Sequence, residues 1–240
     1  MKIFRFISKT WVMRLGIGCV LSILLSSCLK TTYNPVIETP AALVTFVQAS
    51  PDQPPLDLFF DNNKVNFYTL TYGNVINYFR AYKGKRNVHF YAQGTMNQIY
   101  GDTINLTPNK FYSLFLANKP GHEEIVLMTD SITQPAYGKA GIRFVNMSPD
   151  SPPVSLSIQN SQAIATNVPY KGASSFVPIQ GNSNYTVEVR QGTTNTVLTT
   201  TSFNVIAGSV YTVWFHGLTA SAAPADKLNT DIYTNAFFYY

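Results

Sequence analysis

Two segments of this chain repeat each other at a fixed distance. Residues 43–62 read LVTFVQASPDQPPLDLFFDN and residues 141–160 read GIRFVNMSPDSPPVSLSIQN, an offset of 98. Phe46 falls on Phe144 and Val47 on Val145, while Ser50, Pro51, Asp52, Pro54 and Pro55 fall on Ser148, Pro149, Asp150, Pro152 and Pro153. The same offset carries Tyr72 onto Tyr170, Tyr78 onto Phe176, and Gln93-Gly94 onto Gln191-Gly192. After one inserted residue, FYSLFLAN from Phe111 falls on VYTVWFHG from Val210. The chain is therefore a tandem of units of roughly 100 residues, each long enough for a small domain of its own.

The pattern inside each copy is β. Val44-Phe46, Leu56-Leu58, Leu114-Leu116, Ile142-Phe144, Val187-Val189 and Tyr211-Val213-Phe215 alternate with polar neighbours, in runs rich in Val, Thr, Tyr and Phe. No stretch beyond the leader keeps a 3.6-residue apolar period. Turn signals recur at the spacing of sandwich strands: Asp61-Asn62-Asn63, Lys83-Gly84, Gln93-Gly94, Pro108-Asn109, Gln180-Gly181 and Ala207-Gly208. The expected fold is all-β, two tandem immunoglobulin-like or transthyretin-like sandwiches of six to eight antiparallel strands, over residues 41–137 and 138–240. A Cys-Trp-Cys pattern for a true immunoglobulin domain is missing.

Residues 1–27 read as a signal peptide. Lys2, Arg5, Lys9 and Arg14 precede a short apolar run from Leu15 to Leu25, and no acidic residue occurs before Glu38. That run is shorter than the roughly 20 residues a membrane-spanning helix needs. It ends at Leu25-Ser26-Ser27-Cys28, which resembles a bacterial lipobox, with Cys28 as the lipidated residue; the alternative is an ordinary secretory signal with an incidental cysteine. Residues 28–40, with two prolines and no period, read as a tether.

Cleavage before Cys28 reverses the first impression made by a formal charge of +5 and a pI near 9.1. The leader removes four basic and no acidic side chains, so 13 basic face 12 acidic residues. A near-neutral exported chain is a poor nucleic-acid binder. Of the two cysteines, Cys19 leaves with the leader and Cys28 is consumed by lipid, so the folded part has neither disulfide nor thiol nucleophile. The expected place is the cell envelope, at the outer membrane, with the periplasmic or surface-facing side left open.

The segment FVQASPDQPPLDLFFDN, repeated as FVNMSPDSPPVSLSIQN, resembles the opening of the bacterial domain-of-unknown-function family 4397, whose members read R-x-V-N-A-S-P-D-A-P-x-V-D-V-Y-V-D-G. The resemblance implies an extracytoplasmic β-sandwich, often tandem and often a lipoprotein. It brings no catalytic or binding residue to carry over. The copies differ at the acidic position after the double proline, Asp57 in the first and Ser155 in the second.

Ser-Pro-Asp fits a type I turn with Ser at i, Pro at i+1 and Asp at i+2, and Pro-Pro then enforces an extended approach to the next strand. A second reading takes Asp52, Asp57 and Asp61 as oxygen donors to a metal such as Ca²⁺; only Asp150 of the three persists in the second copy. We take the turn as the expectation. His89, His122 and His216 share no metal-ligand spacing, G-x-S-x-G is absent, and Glu123-Glu124 point apart on an extended chain. An enzyme would need a cleft joining His89 or His216 to a carboxylate, which no spacing implies. The chain is expected to be noncatalytic and to need no cofactor.

The candidate ligand-binding residues are Tyr78, Tyr82, Lys83, Lys85, Arg86 and Trp214. The basic cluster is placed at a hairpin between Tyr82 and Val88, an exposed turn or a contact for an anionic glycan or lipid head group. Tyr72, Tyr78, Tyr82, Tyr170 and Trp214 are either sugar-stacking platforms or core and cross-strand partners, and Phe237–Tyr240 reads as a closing aromatic strand. The expected function is an envelope lipoprotein, partnered with the membrane through Cys28, that presents two sandwiches for binding or adhesion to a glycan or an envelope protein. The alternative is a structural or assembly component with no small ligand.

Overall fold

The computed structural model describes residues 39–161 and 163–240. The leader, the lipidation site Cys28 and most of the tether lie outside the described residues.

Each repeat folds into two four-stranded sheets. In the first, β1 (Ala41–Gln48), β4 (Val75–Tyr82), β7 (Phe111–Ala117) and β8 (Glu124–Asp130) form a sheet in the order β4-β1-β7-β8. β2 (Leu56–Phe60), β3 (Asn63–Lys64), β5 (Gly84–Ala92) and β6 (Gln98–Leu106) form the other, β3-β2-β5-β6. The second repeat reproduces this with β9 (Lys139–Asn146), β12 (Val177–Gln180), β15 (Ser209–His216) and β16 (Asn229–Phe237) in the order β12-β9-β15-β16. Its other sheet runs β11-β10-β13-β14, from β10 (Val154–Ile158), β11 (Ala163–Val168), β13 (Ser183–Gln191) and β14 (Val197–Val205). The all-β tandem sandwich read from the sequence is what forms. One difference is that β1 pairs parallel with β7, and β9 with β15.

Each sandwich has its own core, in which most of the alternating residues picked out above are joined by Phe90 and Leu156. Phe46, Leu56, Leu58, Phe90, Leu114 and Leu116 fill the first, and Ile142, Phe144, Leu156, Val189, Val213 and Phe215 the second. Removing such side chains from water supplies roughly 1.5–3 kcal/mol each.

A third apolar cluster lies between the repeats. Val47, Ala49, Phe115 and Ala117 from the outer face of the β4-β1-β7-β8 sheet pack with Val145, Met147, Trp214 and Tyr233 from the outer face of β12-β9-β15-β16. Both faces of β1, β7, β9 and β15 are therefore covered, and all eight residues of β15 are buried. A buried polar network crosses the same boundary. Arg143 donates to Ser113 Oγ (2.9 Å) and Thr212 Oγ1 (2.9 Å), and Thr212 donates to Asn235 Oδ1 (2.6 Å). Asn235 Nδ2 donates to the Tyr78 hydroxyl (3.0 Å), which itself donates to Asp130. Satisfied networks of this kind fix one arrangement of the two sheets, because any slip leaves a buried polar group unpaired.

The Ser-Pro-Asp turn has a shared role and an unshared geometry. Ser50 and Ser148 each donate to the carbonyl of the residue just after β7 or β15, Asn118 and Gly217 respectively. Their amides donate in the same way, to Gln48 Oε1 at 2.8 Å and Asn146 Oδ1 at 3.0 Å. Asp52, however, is left-handed at φ 62, the hand that a type II turn demands at its third residue, so the type I expectation fails in the first copy. No residue of Ser148–Asp150 is left-handed in the second. The expected hairpin around Lys83 is also corrected: β4 and β5 belong to different sheets, and Lys83 is a one-residue crossover between them.

Candidate functional site

The two repeats meet about a pseudo-two-fold axis. Phe115 and Trp214 occupy equivalent positions and touch each other, with ring centroids 6.4 Å apart. Contact between equivalent residues is the mark of an isologous interface. The equivalent tyrosines Tyr72 and Tyr170 cross it in opposite directions. Tyr72 of the first repeat reaches His216 and Gly217 of the second, and Tyr170 of the second reaches Glu124 and Asn118 of the first.

One of the two related sites is closed. The Tyr170 hydroxyl donates to Glu124 Oε1 at 2.7 Å, and Lys171 Nζ lies 2.8 Å from Glu124 Oε2 and 5.3 Å from the Tyr170 ring centroid. Burial works to raise the Glu124 carboxyl, but the bonds from Lys171 and Tyr170 hold it below its ordinary 4.5. A six-residue connection, 118–123, passes beside it.

The other site is open, and three differences between the copies make it so. Lys171 has Gly73 as its equivalent, at φ 84 with nothing within 4 Å of where a Cβ would stand. Ala117 has His216. The connection after β15 is twice as long, residues 217–228, and a short 3-10 turn at Pro224–Asp226 brings Asp226 inward. The result is a cleft of ≈ 590 Å³ between the repeats, lined by Asp52, Thr71, Tyr72, His216, Asp226 and Asp231 among others. That volume falls within the range of small-ligand sites, roughly 300–1,000 Å³.

His216 forms the floor and is 2% exposed. Its ring stacks on Trp214 with centroids 3.9 Å apart, its Nδ1 lies 2.6 Å from the Tyr72 hydroxyl, and its Nε2 lies 2.9 Å from Asp231 Oδ2. With Nε2–H donating to the carboxylate, Nδ1 accepts the Tyr72 hydroxyl, a tautomer assigned by its partners. Burial and the surrounding Asp226, Asp231 and Asp52 push the Tyr72 hydroxyl well above the usual tyrosine range, so Tyr72 stays a neutral donor. Across the cleft, the Asp52 amide donates to Asp226 Oδ1 at 3.2 Å. Burial, then the neighbouring Asp52 side chain, raises the Asp226 carboxyl above its ordinary 3.8.

The cleft thus joins His216 to a carboxylate, Asp231, and to a hydroxyl, that of Tyr72, a juxtaposition that no spacing in the sequence implied.

A family model described as "Domain of unknown function (DUF4397)" matches residues 42–157 and again 157–235. The chain belongs to the DUF4397 family. No curated protein matches it. Among solved structures it is similar to the CBMbc module (family CBM26) from Eubacterium rectale Amy13K in complex with maltoheptaose, at 11% identity, covering 82% of this chain and 97% of that one, with a TM-score of 0.27. It is also similar to a structure concerned with α-glucan recognition by family 41 carbohydrate-binding modules from streptococcal virulence factors, at 11% identity, 73% and 92% coverage and a TM-score of 0.25. At those TM-scores neither likeness bears on function.

The residues singled out from sequence are scattered in this DUF4397 tandem. Trp214 is 0% exposed in the inter-repeat cluster, so it cannot be a stacking platform. Tyr78 is likewise engaged, its hydroxyl in the buried network and its ring edge-on to Phe111. Tyr82, Lys83 and Lys85 are exposed but sit beside Ala41, at the far end of β1 from the cleft, and Arg86 is held by Asp61 at 2.9 Å. The candidate cation site does not assemble. Asp57 faces Lys64 at 2.7 Å, Asp61 faces Arg86, and Asp52 faces Asp226. Of the cleft residues, Tyr72 and His216 were picked out from the sequence, as a stacking candidate and as a histidine with no partner in the spacing, whereas Asp226 and Asp231 were legible only as places where the copies differ or where the second copy is longer. The expected closing strand ends at Phe237; beyond it Tyr240 donates to the carbonyls of Pro135 and Ala136 in the connection between repeats.

Proposed function

We propose that this chain is a noncatalytic envelope lipoprotein, anchored through Cys28, that binds a glycan in the cleft between its repeats. The observation that carries the reading is the open cleft itself, whose acceptors stand on β16 and on the connections beside it, next to a buried interface. Asp231, with 48% of its side chain exposed, and the exposed Asn229 present carboxylate and carboxamide oxygens at its rim. Groups of that kind pair with the neighbouring hydroxyls of a sugar, and the fixed Tyr72 and His216 rings shape the floor without competing for solvent. The Tyr72 hydroxyl and the Asp231 carboxylate hold the His216 ring in place as part of that binding surface.

A glycan array probed with the full chain in non-ionic detergent tests this. Binding that falls on the order of tenfold in Asp231→Ala is expected. Silence across the array, with an envelope protein co-purifying instead, replaces this reading with the assembly role, for which nearly fully exposed Phe67 and Met96 supply apolar surface. Radiolabelled palmitate incorporation that disappears in Cys28→Ala tests the anchor.

A further inference from the structure

The closed half of the interface shows what the open half lacks. On the closed side an ammonium, that of Lys171, rests against a carboxylate of the other repeat and over the ring of Tyr170. On the open side the equivalent ring, Tyr72, is present, but Gly73 supplies no side chain. The open side is also the more acidic, with Asp52, Asp226 and Asp231 around it, and no Lys or Arg among the described residues lines the cleft. A cavity with three carboxyls, an aromatic wall and no cation of its own is complementary to a positive group brought from outside.

We propose that the cleft receives a ligand's ammonium group, carried by an amino sugar, which takes the place on the open side that the Lys171 ammonium takes on the closed side. The sugar as carrier rests on the glycan reading above; the charge rests on the comparison of the two halves. Asn229 stands where Glu124 stands on the closed side, each opposite the equivalent residue of its neighbouring strand. It leaves room for a ring hydroxyl next to the ammonium, where a bare lysine side chain would have nothing to offer.

The test is calorimetric titration of the full chain in non-ionic detergent with a β-1,4-linked glucosamine tetramer, its N-acetylated counterpart and a lysine-bearing tripeptide. The glucosamine tetramer is expected to bind at least about tenfold more tightly than the acetylated one, since acetylation removes the charge. Gly73→Lys, which supplies an internal ammonium, is expected to abolish that binding, while Gly73→Ala keeps it within about twofold. Lys171 already adopts φ 63 at the equivalent position, so a lysine is compatible with the local backbone. Asp231→Asn gives an independent reading through a weaker affinity for the charged tetramer. Equal binding of both tetramers overturns this proposal and leaves the glycan reading standing. Binding of the tripeptide alone overturns the amino-sugar assignment and the glycan reading together, whereas silence from all three probes overturns this proposal and leaves the glycan reading to the array.

Discussion

Arg143 Nη2 lies 2.5 Å from Asp130 Oδ1, with the two side chains 3% and 0% exposed, although the residues belong to different repeats. The pseudo-two-fold does not repeat this pair. The residue equivalent to Arg143 is Thr45, whose hydroxyl donates to the Ile76 carbonyl at 2.7 Å. Among the described residues, a buried ion pair with no counterpart across the pseudo-two-fold therefore crosses the interface, stapled by Ser113, Thr212 and Asn235.

Arg143→Met leaves Asp130 buried without its cation and is expected to cost about 3–5 kcal/mol in urea unfolding. Asp130→Asn added to it restores part of that loss, because no uncompensated charge then remains. A double variant as unstable as the single would show that the pair is not what Arg143 supplies.

Trp214 is the only tryptophan beyond residue 38, and it is fully buried between the repeats. Its emission is expected to be blue-shifted in the native chain and to move red together with the loss of the far-ultraviolet β signal, as one cooperative unit does. Trp214→Ala should cost about 3–5 kcal/mol through the cavity it leaves. A fluorescence transition well before the β signal would mean that the repeats part before they unfold.

The Asp226 carboxyl titrates above its unfolded value because of burial and Asp52. The folded state then holds more protons between the two values, so this group's contribution falls as pH rises from 3.8 through the folded value and is flat above it. Asp57 and Glu124 work the other way. Burial raises both, but Lys64 and Gly94 on the first and Lys171 and Tyr170 on the second outweigh it, so their stabilisation is present above 3.8 and 4.5 and is lost as acid carries them through their lowered folded values. Asp226→Asn is expected to raise the melting temperature near pH 7, with the gain gone below about pH 3.8, while the acid loss due to the other two persists. A gain equal at both ends would contradict the raised Asp226 carboxyl.

Gly217 and Gly73 are both left-handed, at φ 92 and φ 84, yet alanine should affect them differently. A Cβ on Gly217 would stand 2.2 Å from the Lys227 carbonyl, closing the long connection on itself, whereas Gly73 faces open space. Gly73→Ala is expected to cost about 1 kcal/mol and Gly217→Ala clearly more, with thermal denaturation as the measure.

The duplication and the strands were legible because their signal is local: alternation in Val44-Phe46 or Ile142-Phe144, and turns at residues such as Asp61 and Asn109. What the alternation could not say is that the outer faces of β1, β7, β9 and β15 meet one another. Val47, Phe115, Val145 and Trp214 stand on those faces, so Trp214 read as a candidate platform when it is the centre of a third core. Apolar residues on both parities of those four strands were the available sign, since a sheet covered on both sides loses its polar face. The cleft was hidden for a different reason. It depends on residues far apart in sequence, Tyr72 with His216 and Asp52 with Asp226, and only the differences between copies, Gly73 against Lys171 and Ala117 against His216, marked where to look.

Eight residues, 131–138, connect the two sandwiches. Had the same interface formed between separate chains, its occupancy would depend on dilution, and both related sites would be identical by symmetry. Joined by so short a connection, the repeats see each other at an effective concentration on the order of millimolar at any abundance. The site is thus fully assembled even in a single copy of the molecule, and one half is free to differ from the other.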